Sequence, residues 1–146
     1  MRHQLMTQLN YESLRLVQPI VETVPDMSRL NVLGESERQE VLDFLSIRPV
    51  HTVVMASFIS DNGLENELNR GQFFGYRNLA GELEGVALIG HSTLVEARSD
   101  EALAAFAAAA RTSNTPIHMI MSHGKNAERF WSHYSNGLSK PRLTCV

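Results

Sequence analysis

The sequence predicts an α/β fold, a mixed sheet with helices on both of its faces. Two apolar runs, at residues 71–76 and 83–89, are separated by a loop with the turn residues of a β-hairpin. Segments with the 3.6-residue spacing of helices lie before and after these runs. The predicted order is β-α-α-β-β-β-α-β-α-β, which is typical of helices that pack on a sheet.

The composition fits one compact domain. The chain has 146 residues, of which 43% are hydrophobic and 20% charged, and this excludes wholesale disorder. A net charge of −3 offers no basic surface, so we expect no nucleic-acid partner. Cys145 is the only cysteine, which excludes an internal disulfide and favours a cytoplasmic location. No apolar run reaches about 18 residues, so we expect no membrane partner.

Residues 1–29 form a lead segment of uncertain structure, because Pro19 and Pro25 interrupt it and its apolar residues follow no single period. We place the domain at residues 30–146. Residues 30–33 read as a short strand that enters a helix after Gly34. Residues 142–146 read as a last strand that stops while still apolar, so the sheet is expected to be cut short at its C-terminal strands.

Two helices are predicted between the first two strands. Ser36 and Gln39 have the spacing of a capping box, and the first helix then ends before Pro49. Pro49 suits the first position of the second helix, and Asn62 with Gly63 supplies its end. The predicted buried residues are Val41, Leu42, Phe44 and Leu45 in the first helix, and Val50, Val53, Val54, Phe58 and Ile59 in the second.

A third strand is predicted at residues 93–97, paired with the hairpin as a meander. Ser99 or Asp100 can then cap an alanine-rich helix that runs to about Arg111. A short strand follows at residues 117–121. The last helix is indicated by apolar residues at i, i+3, i+4 and i+7, namely Ala127, Phe130, Trp131 and Tyr134.

This order resembles the GNAT acyltransferase fold, whose sheet opens between its fourth and fifth strands to admit acetyl-CoA. GNAT helices after the fifth strand often carry an Asn, a Tyr seven residues later, and a Gly four residues after that. This chain has Asn126, His133 and Gly137 at those places, with Tyr134 one residue out of register. His therefore replaces the usual Tyr.

The chain also looks like the N-terminal GNAT-like domain of tandem bacterial GNAT proteins. The likeness covers residues 32–146, about four-fifths of the chain. The residues that carry it are Val32-Leu33-Gly34, Pro49, Phe74-Gly75-Tyr76, the strand at 81–90, Trp131 and Pro141-Arg142.

The resemblance implies acetyl-CoA as cofactor and assigns roles to particular residues. The cofactor-binding candidates are Leu94, Val95, Glu96, Ala97 and Asn126. The base that deprotonates an acceptor amine would be Glu84 or His118, and His133 or Tyr134 would protonate the departing thiolate. The open alternative places Glu84 and His118 on strands facing solvent, and His133 on a helix surface.

One departure from the GNAT pattern decides the leading hypothesis. GNAT enzymes hold the CoA pyrophosphate with a glycine-containing loop, whereas residues 96–102 contain no glycine. Asp100 and Glu101 instead bring negative charge to the start of the helix, where they would repel another anion. The loop between the fifth strand and the last helix, residues 122–125, reads either as a weak anion site or as a solvated loop.

Three functions therefore stand open. The first is a non-catalytic GNAT-like domain that pairs with a second copy or with a C-terminal catalytic GNAT domain. The second is an active acetyl-CoA-dependent N-acetyltransferase for a small amine or a peptide amine. The third is a small-molecule sensor that uses the same cleft. We expect no metal site, because the six histidines show no HExxH spacing and no CxxC motif is present.

Overall fold

The computed structural model describes residues 23–135, which form a mixed α/β fold around one sheet. In that range the sheet has five strands, ordered as they occur in the chain. They are β1 (Leu30–Val32), β2 (Gly71–Arg77), β3 (Leu83–Gly90), β4 (Ser92–Ala97) and β5 (Met119–Met121). Neighbours from β1 to β4 pair antiparallel, and β5 pairs parallel to β4. The predicted strand at 142–146 lies outside the described residues.

Helices cover both faces of the sheet, as the sequence predicts. They are α1 (Arg38–Ser46) and α2 (Pro49–Asn62) between β1 and β2, α3 (Asp100–Arg111) between β4 and β5, and α4 (Gly124–Tyr134) after β5. One buried cluster joins α1 and α2 to the sheet, and another joins α3 and α4 to the opposite face. The predicted end of the last helix, residues 136–137, lies outside the described residues.

Strand β4 separates the two clusters. Leu94 belongs to the cluster on the α1–α2 face, whereas Val95 and Ala97 belong to the cluster on the α3–α4 face. Because side chains alternate along a strand, Glu96 points to the same face as Leu94. An acid is thereby placed under the two helices.

Strand β4 also extends beyond its parallel neighbour. Ser92 to Leu94 pair with Met119 to Met121, where β5 ends. Within the described part of the chain, the last three residues of β4 pair with β3 alone. Their other edge faces the connection from β5 into α4.

The predicted capping box at Ser36 and Gln39 is wrong. A short 3-10 helix, Glu35–Glu37, stands between β1 and α1, so Ser36 lies inside a turn rather than in front of the helix. The Glu37 carboxylate accepts the backbone N–H of Gly34 at 3.1 Å, so the capping box lies two residues earlier than predicted. Gln39 instead donates to Asp43 at 2.8 Å.

The predicted ends of α2 are confirmed, but its predicted buried face is largely wrong. Pro49 opens the helix, and Gly63 ends it with a φ of +78°. The buried residues are Thr52, Met55 and Ile59, while Val50, Val53 and Val54 are 82, 56 and 42% exposed. Periodicity cannot identify the buried face of a helix that is apolar on nearly every side. The Thr52 hydroxyl can be buried because it has hydrogen-bond acceptors in the interior. It lies 2.7 Å from the Leu45 carbonyl and 2.9 Å from the Arg48 carbonyl.

Helix α3 lies close against the sheet. Ser99 is its cap, and its hydroxyl accepts the Ala102 N–H at 3.2 Å. Gly85 of β3 faces the helix, and a Cβ at that position would lie 2.7 Å from Phe106 Cε2. The small residue in the sheet therefore makes room for the ring in the helix.

We expect Gly85→Ala to destabilise the protein by about 1–3 kcal/mol, because the added methyl group overpacks this contact. Phe106→Leu should relieve the clash, so the double variant should lose less stability than the two single variants combined. Urea unfolding of the four proteins measures this coupling. Strict additivity would contradict the close approach.

Candidate functional site

The edge of β4 that β5 leaves unpaired is contacted by side chains of the segment that leads from β5 into α4. The Ser122 hydroxyl donates to the Val95 carbonyl at 2.7 Å, and the Asn126 amide donates to the Ala97 carbonyl at 2.9 Å. Asn126 is itself buried at the start of α4. The backbone that the GNAT resemblance assigns to a cofactor thus already has partners within the chain.

A polar cluster lies beside this edge, on the α1–α2 face. It consists of Arg48, Glu96, His123 and Asn126, and we call it the β4 cluster. The Glu96 side chain is only 5% exposed, and its Oε1 lies 3.6 Å from Arg48 Nη2 and 3.6 Å from His123 Nε2. Arg48 directly precedes α2 and His123 directly precedes α4, so three elements meet at one carboxylate.

Among residues 23–135, no group donates a hydrogen bond to Glu96 Oε1. A buried carboxylate oxygen without one is costly, and an ion pair at 3.6 Å offsets only part of that cost. Buried polar atoms in proteins are otherwise nearly always hydrogen-bonded. This oxygen can accept a hydrogen bond or a proton from a group brought next to it.

His123 accepts hydrogen bonds at Nε2. Arg48 Nη1 lies 2.7 Å from that nitrogen and Asn126 Nδ2 lies 3.1 Å from it, and both groups are donors. This network assigns the ring proton to Nδ1. Burial lowers the pKa of His123 and the Arg48 charge lowers it further, with the Glu96 carboxylate opposing both. The imidazole is therefore neutral at neutral pH, and its Nε2 lone pair is already engaged.

The start of α3 carries two carboxylates that already have partners within the chain. Asp100 accepts a hydrogen bond from the Thr23 hydroxyl at 2.7 Å and lies 3.1 Å from His133 Nε2. Burial raises the pKa of Asp100, but the hydrogen bonds from Thr23 and His133 outweigh it and lower the pKa overall. Glu101 pairs with Arg29 at 3.4 Å. A phosphate approaching this helix end would meet two carboxylates.

The four residues predicted as catalytic contact different partners. Glu84 accepts from the Ser99 hydroxyl at 3.0 Å and lies 3.6 Å from Arg29. His133 pairs with Asp100, as above. His118 is exposed and stacks on the ring of His91, and Tyr134 packs beside Phe130. Geometry therefore does not bring the four together.

Of the five residues predicted to bind a cofactor, the structure places two in the β4 cluster. Asn126 and Glu96 meet there through His123. Leu94 is in the hydrophobic core, and the carbonyls of Val95 and Ala97 are bonded to Ser122 and Asn126. Glu96 takes part in the β4 cluster through its side chain, and not only through the strand backbone.

Sequence reasoning missed Arg48. It placed His123 with His118 and His133 near a GNAT-type acceptor cleft, where one of the three could serve as the base. One signal was available, an acid inside the apolar strand Leu94-Val95-Glu96-Ala97, because buried acids are rarely found without a partner. The sequence does not identify that partner. Arg48 and His123 are 75 positions apart and meet only when α2 and α4 converge on β4.

Comparisons with protein-family models, with curated proteins and with solved structures found no match to this chain. Within residues 23–135, no helix is long and apolar enough to cross a membrane. The same part of the chain contains no group of three or more His, Cys, Asp or Glu side chains arranged to hold a metal ion.

We expect the stability of the protein to fall as the pH drops below about 6.5, in part through His123. Its pKa is lower in the folded than in the unfolded chain, so the unfolded chain binds more protons in that range. His123→Gln should make the decline between about pH 7 and pH 5 shallower. Urea unfolding at a series of pH values measures it.

His118→Gln is the matched control, because His118 is an exposed histidine. It should keep the wild-type pH dependence. Equal slopes for wild type and His123→Gln would show that the β4 cluster does not hold a neutral imidazole.

Proposed function

We propose that this chain is a GNAT-related domain that does not turn over acetyl-CoA by itself and serves as the structural half of a larger acyltransferase assembly. The observation that carries the proposal is the occupied edge of β4. Ser122 and Asn126 donate hydrogen bonds to the carbonyls of Val95 and Ala97. A GNAT enzyme would use this strand backbone to hold the pantetheine arm of its cofactor.

The arrangement of elements supports the relation to GNAT proteins. Four antiparallel strands are followed by a parallel fifth, and the pairing of β4 with β5 ends before β4 does. Two helices follow the first strand, one joins the fourth strand to the fifth, and one follows the fifth. These are the placements that the resemblance implies for a sheet that opens between its fourth and fifth strands.

Before a pantetheine could bind at the edge of β4, Ser122 and Asn126 would have to break their hydrogen bonds to the carbonyls of Val95 and Ala97. Each hydrogen bond contributes about 0.5–1.5 kcal/mol, and a buried group left without a partner costs about 1–3 kcal/mol. Asn126 is buried and also contacts His123. Its displacement would therefore disturb the β4 cluster as well.

The other end of a CoA molecule meets a second obstacle. The start of α3 carries Asp100 and Glu101, and no glycine in residues 96–102 allows the backbone a closer approach. Charge repulsion and lost backbone contacts both disfavour a pyrophosphate there. The two ends of the cofactor are disfavoured for independent reasons.

We expect acetyl-CoA at about 1 mM to leave the melting temperature unchanged and to give no saturable heat in calorimetry. A ligand that binds the native state at a hundred times its Kd stabilises the protein by about 2.7 kcal/mol, which either method detects. An acetyltransferase known to bind acetyl-CoA serves as the positive control. A saturable stabilisation would overturn the proposal.

The unpartnered Oε1 of Glu96 favours a second candidate, an N-acetyltransferase. A buried carboxylate oxygen with free lone pairs can take the proton of an amine as the amine attacks the thioester carbonyl, and CoA then leaves as the thiolate. In this case Glu96, rather than Glu84 or His118, would be the base.

Thiol release from acetyl-CoA with a panel of primary amines tests this candidate. If the chain is active, Glu96→Gln should lower the rate at least about a hundredfold. Glu82→Gln, an exposed acid in the β2–β3 loop, should keep it. Absence of thiol release from the wild-type chain would exclude the second candidate and agree with the first.

A further inference from the structure

An exposed apolar ridge is formed by Ile47, just before α2, and by Val50, Val53 and Val54 on the outer surface of that helix. Their exposed fractions are 64, 82, 56 and 42%. Residues 50, 53 and 54 share one side of the helix through their i, i+3, i+4 spacing. The opposite side of α2 is already packed in the core through Met55 and Ile59. A helix that is apolar on both sides is typical of one that is covered on both sides.

We propose that this valine ridge binds a second copy of the same chain, with the two α2 helices antiparallel about a two-fold axis near Val54. A two-fold interface requires a surface that complements itself. The inference deepens the structural role proposed above and rests on it, by identifying one partner. Charge and shape both support this partner.

The charges at the two ends of the ridge are opposite. Arg48 precedes α2 and keeps a 38% exposed side chain, while Asp61 lies exposed in the last turn. Between them α2 has no Lys, Arg, Asp or Glu. Among residues 23–135, Asp61 makes no ion pair.

Antiparallel packing would give each Asp61 an ion-pair partner in the other copy. That partner is Arg48, whose guanidinium also contacts His123 and Glu96 and whose side chain stays partly exposed. The midpoint between positions 48 and 61 falls between Val54 and Met55, so an axis there sets each Arg48 opposite the Asp61 of the other copy. The two positions are about 20 Å apart along the helix, at 1.5 Å per residue. A parallel pair would instead set like charges opposite each other at both ends.

The surface beside the ridge also fits the antiparallel arrangement. A hollow of about 270 Å³ is lined by Val54, Ser57, Phe58, Asp61 and Asn62. With the axis near Val54, Val50 of one copy lies opposite positions 58 and 59 of the other. The most exposed valine of the ridge therefore lies opposite the hollow, as ridges-into-grooves packing requires.

Sedimentation equilibrium of the full chain tests the proposal. We expect the wild-type chain to form a dimer as its concentration rises, and Val54→Asp to weaken the dimer at least about tenfold by burying an unpaired charge. Leu79→Asp is the matched control, because Leu79 is 93% exposed on the β2–β3 loop, and it should keep the dimer. Circular dichroism of both variants verifies their fold.

Two further variants test the orientation. Asp61→Lys should weaken the dimer at least about tenfold, because it sets two like charges opposite each other. Val54→Cys should form a disulfide-linked dimer under mild oxidation, since residue 54 faces its own copy near the axis. Val50→Cys should not exceed the background set by Cys145 in the wild-type chain.

A wild-type chain that stays monomeric at all concentrations overturns the inference, as does a dimer that Val54→Asp leaves intact. Efficient cross-linking by Val50→Cys overturns the antiparallel arrangement. Failure of the proposed function is distinguishable from these results. A dimer that binds acetyl-CoA contradicts the function alone, and a monomer that ignores acetyl-CoA contradicts the dimer alone.

Discussion

The hydrogen bonds of the Asn126 amide connect the helical layers on the two faces of the sheet. The amide donates to the carbonyl of Ala97 at the end of β4 and lies 3.1 Å from the imidazole of His123, which in turn meets Arg48 at the start of α2. A helix on one face of the sheet is thereby connected to a helix on the other through the one stretch of β4 that β5 leaves uncovered. Such networks specify a unique arrangement only when their members are satisfied.

Glu96 is the member that is not satisfied, and it explains why the site permits two functional readings. Its buried Oε1 indicates a group that can accept a proton, whereas the occupied carbonyls beside it argue against a cofactor. The two observations concern different parts of the same strand, because the Glu96 side chain points to one face of the sheet and the carbonyls lie in its plane, at the edge of β4. We therefore propose a structural role, since a transferase needs the cofactor before it needs the base.

Arg48 connects this site to the outer surface of α2. Its guanidinium contacts His123 and Glu96 inside the fold while part of the side chain remains exposed at the end of the valine ridge. Helix α2 is thus apolar where it meets the core, apolar where it faces outward, and charged only at its ends. A partner on the ridge would lie next to the β4 cluster. Arg48 would then belong both to the interface and to the cluster.

Local spacing in the sequence alone determined the order of the elements from β1 to α4, the Pro49 start and Gly63 end of α2, and the hairpin of β2 and β3. These features depend on neighbours within a few residues, and backbone preferences report such neighbours directly. Only the tertiary structure decided which side of α2 is buried, because both sides are apolar and the sheet selects one. It likewise decided that Arg48, Glu96 and His123 meet, because contacts between distant positions are made by packing and leave no periodic pattern in the sequence.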